Sequence, residues 1–153
     1  MQRQANVEKK YAKLRVEDIS VLYNKDFYHL LLTSPGWNWQ PGQFVMLRPE
    51  KWTYDPFGAR PFSIADEDGK HLHIYFQIVG KGTKKLSELK RNESVMVWGP
   101  LGNHFDLTPD VPTLLLAGGM GIVPFVGLVE HHPTPKNLEL IFGHRNELSN
   151  YPY

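Results

Sequence analysis

The chain has 153 residues, 41% of them apolar, and a formal net charge of +1, a composition that suits one soluble domain plus a fragment. Its near-balanced charges argue against a nucleic-acid surface, because basic residues cluster only around positions 81–91, on what we expect to be a solvated helix. It contains no cysteine, which excludes disulfides, thiol catalysis and a cysteine-ligated iron–sulfur cluster within this chain.

The N-terminal segment, Met1 to Lys13, is polar and charged, so we expect neither a signal peptide nor a membrane anchor there. The apolar segment from Leu114 to Val129 is interrupted by glycines and by Pro124, and it is shorter than the roughly 20 residues of a membrane span. The expected location is the cytoplasm.

Six short runs rich in β-branched and aromatic residues predict strands, and tight turns such as Pro41-Gly42 and Asp68-Gly69 separate them. In chain order these runs are Leu14–Leu22, Phe27–Thr33, Gln43–Arg48, Phe62–Ala65, His71–Val79 and Ser94–Trp98. One helix is predicted before the last strand, from about Thr83 to Lys90. Short strands joined by tight turns predict a small antiparallel barrel.

After Pro112 the pattern changes to a fully apolar strand (Thr113–Ala117), a helix (Gly121–His131) and a second apolar strand (Leu138–Phe142). This order predicts a parallel unit, and we place a domain boundary between residues 1–111 and 112–153. About 40 residues cannot complete a doubly wound sheet, because both faces of its strands need helices. We expect a partner chain, a swapped copy or the rest of a longer protein to cover the apolar faces.

Arg60-Pro61-Phe62-Ser63 is the first stretch that could carry chemistry. A guanidinium at the start of a strand can donate paired hydrogen bonds to phosphate oxygens, and the adjoining aromatic ring and hydroxyl could face a flat ligand. The alternatives are a surface ion pair of Arg60 with an acid such as Asp55 or Asp66, and a core position for Phe62.

Two glycine turns follow further along the chain. Gly80-Lys81-Gly82-Thr83 precedes the first predicted helix, where backbone amides and the helix dipole favour an anion, although Thr83 could be a plain helix cap. Gly118, Gly119 and Gly121 lie between an apolar strand and a helix, where they would let a second diphosphate approach the backbone or would only make a tight turn.

Taken in order, these motifs resemble the ferredoxin–NADP reductase superfamily over about residues 12–145. Within it, the stretch from Gly99 to Phe105 and the proline of Arg60-Pro61 are most similar to the electron-transfer subunits of NADH-linked dihydroorotate dehydrogenase. The resemblance implies a six-stranded antiparallel Greek-key barrel that binds FAD, followed by the N-terminal part of a truncated, Rossmann-like α/β domain for NAD(P)H.

The resemblance also implies roles for particular residues. Arg60, next to Pro61, would bind the flavin diphosphate, Phe62 would lie beside the isoalloxazine and Ser63 would face its reactive nitrogen. The ribityl and diphosphate portion would be held by Phe76, Gln77, Gly82 and Thr83, and the NAD(P)H diphosphate turn would be shaped by Gly118, Gly119, Gly121 and Pro124. Gln77 and Phe62 replace an arginine and a tyrosine that relatives often have. No side chain is expected to act as a catalytic acid or base, because the cofactor carries the chemistry.

The implied function is a flavoprotein oxidoreductase subunit that accepts hydride from NAD(P)H and passes electrons to a partner, for which dihydroorotate oxidation in pyrimidine biosynthesis is the leading hypothesis. The alternatives are a reductase subunit serving another acceptor, such as ferredoxin or a hydrogenase, and a barrel without cofactor that acts as a binding module. A homodimer or swapped dimer is one way to cover the α/β segment. The seven histidines show no convincing ligand spacing, so no metal site is predicted.

Overall fold

The structure is a computed structural model that describes residues 10–22, 25–54 and 57–152. Residues 1–9 of the polar N-terminal segment, and Asp55, lie outside the described residues. The strands are β1 (Lys10–Val21), β2 (Phe27–Thr33), β3 (Phe44–Pro49), β4 (Arg60–Ser63), β5 (Asp66–Glu67), β6 (His71–Gln77), β7 (Ser94–Leu101), β8 (Thr113–Gly118) and β9 (Leu138–Gly143). The helices are α1 (Lys81–Leu86) and α2 (Val123–His131), with 3-10 turns at Gly119–Ile122, Pro135–Asn137 and Leu148–Asn150. Within the described ranges, neither helix approaches the length and apolarity needed to cross a bilayer.

Strands β1 to β7 form one curled antiparallel sheet in the order β4-β3-β7-β1-β2-β6-β5. The two edge strands are consecutive in the chain, and Ile64 and Ala65 join them. The Ile64 N–H donates to the carbonyl of Gln43 (3.1 Å), while the Ala65 N–H donates to the carbonyl of His73 on β6 (3.0 Å). The connection between the two edge strands therefore continues the pairing at both ends of the sheet. The predicted antiparallel barrel is confirmed, with the two-residue β5 as an additional strand.

The barrel core is made by strict alternation along the strands. On β6, residues 72, 74 and 76 are buried while the residues between them are partly exposed, and the same pattern runs along β3. Leu30, Leu47, Ile74 and Val97 are among the fully buried side chains. Burying aliphatic side chains of this size contributes roughly 1.5–3 kcal/mol each, so the alternation itself determines which face of every strand turns inward.

Several predicted boundaries were wrong by a few residues. Strand β4 begins at Arg60 rather than Phe62, because Arg60 already pairs with Leu47 on β3. Helix α1 begins at Lys81 and ends at Leu86, whereas Thr83 to Lys90 was expected. The chain beyond it continues in tight turns, with the Leu89 N–H donating to the Leu86 carbonyl at 3.2 Å, so Leu89 is still buried.

The C-terminal segment contains the predicted parallel unit. Strands β8 and β9 pair in parallel from Thr113 opposite Leu138 to Gly118 opposite Gly143. The helix between them begins at Val123 rather than Gly121, because a 3-10 turn occupies Gly119–Ile122. The last antiparallel strand ends at residue 101, and the first parallel strand begins at residue 113. The domain boundary at 111/112 lies between them and stays a prediction.

One face of this two-stranded sheet is open, as expected from its length. Leu114, Leu116 and Ile141 are 53%, 66% and 55% exposed. The residues that alternate with them turn the other way, where Ala117 and Phe142 pack against buried Ile122 and Tyr151.

Helix α2 holds the parallel unit against the barrel. A Cβ added at Gly127 would lie 2.4 Å from the Trp39 ring and 2.7 Å from the Ala65 carbonyl oxygen, so the helix backbone lies directly on the barrel. At the end of the helix, His131 Nε2 lies 2.9 Å from Asp66 Oδ1, and the same ring meets Trp39 edge-on at 5.6 Å.

Candidate functional site

A cleft of about 820 Å³ opens beside β4, between the end of β6, the turn into α1 and the start of the parallel unit. Cofactor sites commonly measure roughly 300–1,000 Å³. Of the twelve predicted site residues, the following line it: Arg60, Pro61, Phe62, Ser63, Phe76, Gln77, Gly82 and Thr83. The other lining residues are Tyr75, Val79, Gly80, Lys81, Met120 and Val123. Three sequence-distant motifs therefore share one cavity.

Arg60 is held at the cleft by its own loop. One guanidinium nitrogen donates to the carbonyls of Gly58 (3.0 Å) and Ala59 (3.3 Å). In the described part of the chain, no carboxylate forms an ion pair with Arg60, and Asp66, one of the acids considered as its partner, is paired with His131 instead. The remaining guanidinium donors can therefore serve an anion.

Thr83 organises the turn that faces Arg60. Its Oγ1 accepts hydrogen bonds from the backbone N–H groups of Val79 (2.9 Å) and Gly80 (3.2 Å) and donates to the Gly80 carbonyl (3.2 Å). Thr83 is therefore the third residue of α1 rather than the residue that precedes the helix. Its hydroxyl shapes the turn at the start of α1, and the residues of that turn line the cleft together with Arg60.

The two phenylalanines occupy different environments. Phe76 is 3% exposed and its ring stacks on Tyr28 at 5.4 Å inside the barrel. Phe62 is half-buried and meets the Phe76 ring edge-on at 5.9 Å. Of these two rings, Phe62 can therefore offer substantial surface to a ligand in the cleft, while Phe76 supports it from behind.

Tyr75 is a lining residue to which the sequence analysis assigned no role. It alternates with Phe76 on β6, so its side chain lies on the outer face of the strand, and the His29 ring stacks on it at 4.3 Å. Burial, and next the charge of Asp66, raise the pKa of the Tyr75 phenol, which keeps it protonated and able to donate at neutral pH. The period of two along β6 is the signal that could have identified it.

Ser63 is the last residue of β4, where it pairs with Phe44 of β3. It is half-buried and lines the cleft, and its hydroxyl has no hydrogen-bond partner among the described residues. The cleft lining includes Arg60 and Lys81 and, in the described part of the chain, no acidic side chain. A ligand with phosphate groups therefore matches its electrostatics.

The second glycine turn is not part of this lining. Gly118, Gly119, Gly121 and Pro124 are absent from it, although their neighbours Met120 and Val123 close one side. A Cβ at any of the three glycines would meet nothing within 4 Å, and Gly119 has a φ of +52°, which favours glycine. The turn is thus open to solvent beside the cleft, and its nucleotide role stays a prediction.

The chain is similar to curated proteins described as the electron transfer subunit of dihydroorotate dehydrogenase B (NAD(+)). The protein from Clostridium acetobutylicum is 34% identical over 132 residues, which is 86% of this chain and 50% of the relative. The protein from Listeria innocua is 41% identical over 93 residues, or 58% of this chain and 36% of the relative. The chain spans about half the length of the first of these relatives. No protein-family model matches it.

Solved structures have the same architecture. The NADH-dependent reduced ferredoxin-NADP oxidoreductase superposes with a TM-score of 0.74 at 25% identity, covering 89% of this chain and 50% of the other. The ferredoxin-NADP+ reductase from Plasmodium falciparum gives 0.74 at 19% identity, covering 90% and 60%, a likeness of fold alone. In fold, motif order and sequence, the chain is similar to ferredoxin–NADP reductase-like proteins and to the dihydroorotate dehydrogenase B electron-transfer subunits.

Proposed function

We propose that this chain is the cofactor-binding part of an FAD-dependent electron-transfer subunit, which takes electrons from NAD(P)H and passes them to a partner protein. The observation that carries the proposal is the shared cleft. Arg60, Phe62, Ser63 and the turn at Thr83 come from separate parts of the sequence and meet around one cavity, whose described lining contains no acidic side chain. The names of the similar proteins support the same function.

The residues present fit FAD by size, charge and shape. The cleft is about 820 Å³, it has guanidinium and ammonium groups at one side, and it has the half-buried ring of Phe62 at another. When bound, FAD supplies hydride and one-electron chemistry that amino-acid side chains lack. Arg60 and Lys81 would hold the diphosphate, together with the turn that Thr83 shapes.

Three side chains would orient the flavin ring. Phe62 offers an aromatic surface, Ser63 a hydroxyl without a hydrogen-bond partner among the described residues, and Tyr75 a phenol that remains protonated at neutral pH. Met120 and Val123 approach the cleft from the parallel unit and would exclude water from that side. Gly118, Gly119, Gly121 and Pro124 would form the adjoining NAD(P)H turn, where the three glycines keep the backbone accessible.

The partner we propose is a catalytic subunit that oxidises dihydroorotate, because the curated relatives are described as electron transfer subunits of such an enzyme. A ferredoxin-linked acceptor is the second candidate, which the 25%-identical structural neighbour favours. Iron–sulfur chemistry would have to reside outside these 153 residues, since they contain no cysteine. A homodimer and a cytoplasmic location stay predictions.

The test is a titration of the purified chain with FAD, followed by visible absorbance and flavin fluorescence. Arg60→Ala should weaken binding by the loss of a charge-assisted contact of about 1.5–3 kcal/mol, or roughly tenfold to a hundredfold. Arg60→Lys should recover part of the affinity, because the charge returns without the paired donors. Arg91→Ala is the matched control, since Arg91 is exposed, lies near Glu17 at 3.7 Å and does not line the cleft.

If the purified chain does not bind FAD, the proposal is rejected in favour of a binding module without cofactor. Equal affinity in wild type and Arg60→Ala would reject the assignment of Arg60 alone. Mixing the flavin-loaded chain with a dihydroorotate-oxidising subunit or with a ferredoxin, and measuring complex formation, separates the two candidate partners.

A further inference from the structure

The turn between β5 and β6 brings one carboxylate and two imidazoles together on the outer surface of the barrel. Asp68 lies in the turn, and His71 and His73 alternate along the same face of β6. Asp68 Oδ2 is 3.3 Å from His73 Nε2 and 3.6 Å from His71 Nδ1. One ligand atom from each residue can be chosen so that all three lie within 4.8 Å of one another.

These separations match those of a tetrahedral metal site. Zinc bonds of about 2.0–2.2 Å to nitrogen and oxygen place neighbouring ligand atoms roughly 3.3–3.5 Å apart. Both distances from the Asp68 carboxylate are close to that value, and all three ligand atoms lie within 4.8 Å of one another, so rotation of the imidazoles would bring them to a shared ion. Mixed imidazole and carboxylate ligands suit zinc and its transition-metal neighbours better than calcium or magnesium.

The carboxylate is oriented before any ion arrives. Asp68 Oδ1 accepts hydrogen bonds from the backbone N–H groups of Lys70 (2.8 Å) and His71 (2.7 Å), which directs Oδ2 toward the imidazoles. Gly69, with a φ of +81°, makes the turn that allows this arrangement.

A fourth residue supports one of the imidazoles from behind. His29 Nε2 lies 3.2 Å from His73 Nδ1, and its ring is stacked between strands on Tyr75. In the tautomer in which His73 donates its Nδ1–H to His29 Nε2, the Nε2 lone pair of His73 remains for a metal ion on the side of Asp68.

We propose that Asp68, His71 and His73 bind a divalent transition-metal ion of the zinc class, with a fourth position open to water or to an external ligand. The three side chains are 40%, 33% and 23% exposed, so an ion can enter from solvent. None of them lines the cleft beside β4. The site is therefore separate from the proposed flavin site, and its test does not depend on that function.

The test titrates the tag-free, EDTA-treated full chain with ZnCl₂ in competition with a chromophoric chelator. The wild type should bind one Zn²⁺ per chain. The double variant His71→Asn with His73→Asn should lose affinity by at least about a hundredfold, since it removes two of three ligands. His104→Asn combined with His144→Asn is the control, because both residues are exposed and lie outside the cluster.

Asp68→Asn provides a second variant that keeps the turn. An asparagine oxygen can still accept the two backbone hydrogen bonds, whereas the anionic ligand is lost, so Zn²⁺ affinity should fall roughly tenfold or more. The Asp68→Asn variant tests the metal site even when the double-histidine variant does not fold, which circular dichroism would reveal. The proposal is overturned by a wild type without saturable Zn²⁺ binding, or by cluster variants that bind Zn²⁺ as tightly as the control.

Discussion

The guanidinium of Arg60 lies against the backbone of Gly82, so that a Cβ added at Gly82 would be only 3.3 Å from Arg60 Nε. The strand β4 and the first turn of α1 are thereby in direct contact at the cleft. The absence of a side chain at Gly82 leaves the guanidinium and the neighbouring amides on one surface. The same phosphate group could then be reached by donors from both elements.

Gly82→Ala should weaken FAD binding without lowering the stability of the fold. The added methyl group displaces the end of a flexible arginine side chain by a few tenths of an ångström, while alanine favours the helix over glycine by roughly 0.5–1 kcal/mol. We expect unchanged or slightly higher resistance to urea and FAD binding weakened by about 1 kcal/mol, or roughly fivefold. Lys84→Ala, an exposed change on the same helix that does not line the cleft, should leave FAD affinity unaltered.

Thr83→Val tests whether the hydroxyl shapes the turn. Valine has nearly the same volume but cannot accept the N–H groups of Val79 and Gly80. We expect a loss of about 1 kcal/mol in unfolding free energy and weaker FAD binding, because the turn loses its internal support. Thr83→Ser keeps the hydroxyl and should behave like the wild type in both measurements. A valine variant with wild-type affinity and stability would contradict the assigned role.

Gly127→Ala should loosen the contact between α2 and the barrel. The new methyl group would lie 2.4 Å from the Trp39 ring and 2.7 Å from a backbone oxygen of Ala65, so the helix has to shift. Overpacking of this kind costs typically 1–3 kcal/mol, more than the helix propensity gained. Urea unfolding should show the loss. Gly121→Ala is the control, since its Cβ would meet nothing within 4 Å and stability should change little.

Acidification should destabilise the protein through His29. Its pKa is about 4 in the folded chain, because of burial and then of His73, against a value near 6.5 when unfolded. Between pH 6.5 and 4 the unfolded state therefore binds a proton that the folded state does not, and stability falls by up to about 2 kcal/mol after allowance for partial exposure.

The measurement is the urea midpoint at pH 7 and at pH 5, with EDTA present. The lowered pKa values of Asp68 and Glu93 also contribute stability. That contribution is lost only as the pH falls below the pKa values of the two groups in the unfolded state, which are 4.5 or less. His29→Gln cannot take up the proton and should show a shallower decline over this interval. Equal declines in the variant and the wild type would show that another group is responsible.

Much of the candidate site could be predicted because its motifs are local. Arginine, aromatic and hydroxyl side chains in Arg60 to Ser63, and small residues around Gly82, predict a phosphate-binding surface, because the residues that carry this chemistry are neighbours in the chain. The structure then decided how each side chain is used. Phe76 turns into the barrel core and Tyr75 lies on the outer face of β6, and only the folded barrel brings these residues beside Arg60 and the turn at Thr83.

The amino-acid sequence by itself determined the strands, the antiparallel-then-parallel order and the glycine turns, since alternation and backbone freedom act over a few residues. Tertiary structure alone decided which distant groups meet. The edge strand β5, the hydrogen-bond contact of Asp66 with His131 and the packing of Gly127 on Trp39 all depend on closure of the barrel. The approach of Asp68 to His71 and His73 likewise needed the turn geometry, because ligand distances depend on backbone direction and a residue spacing does not specify it.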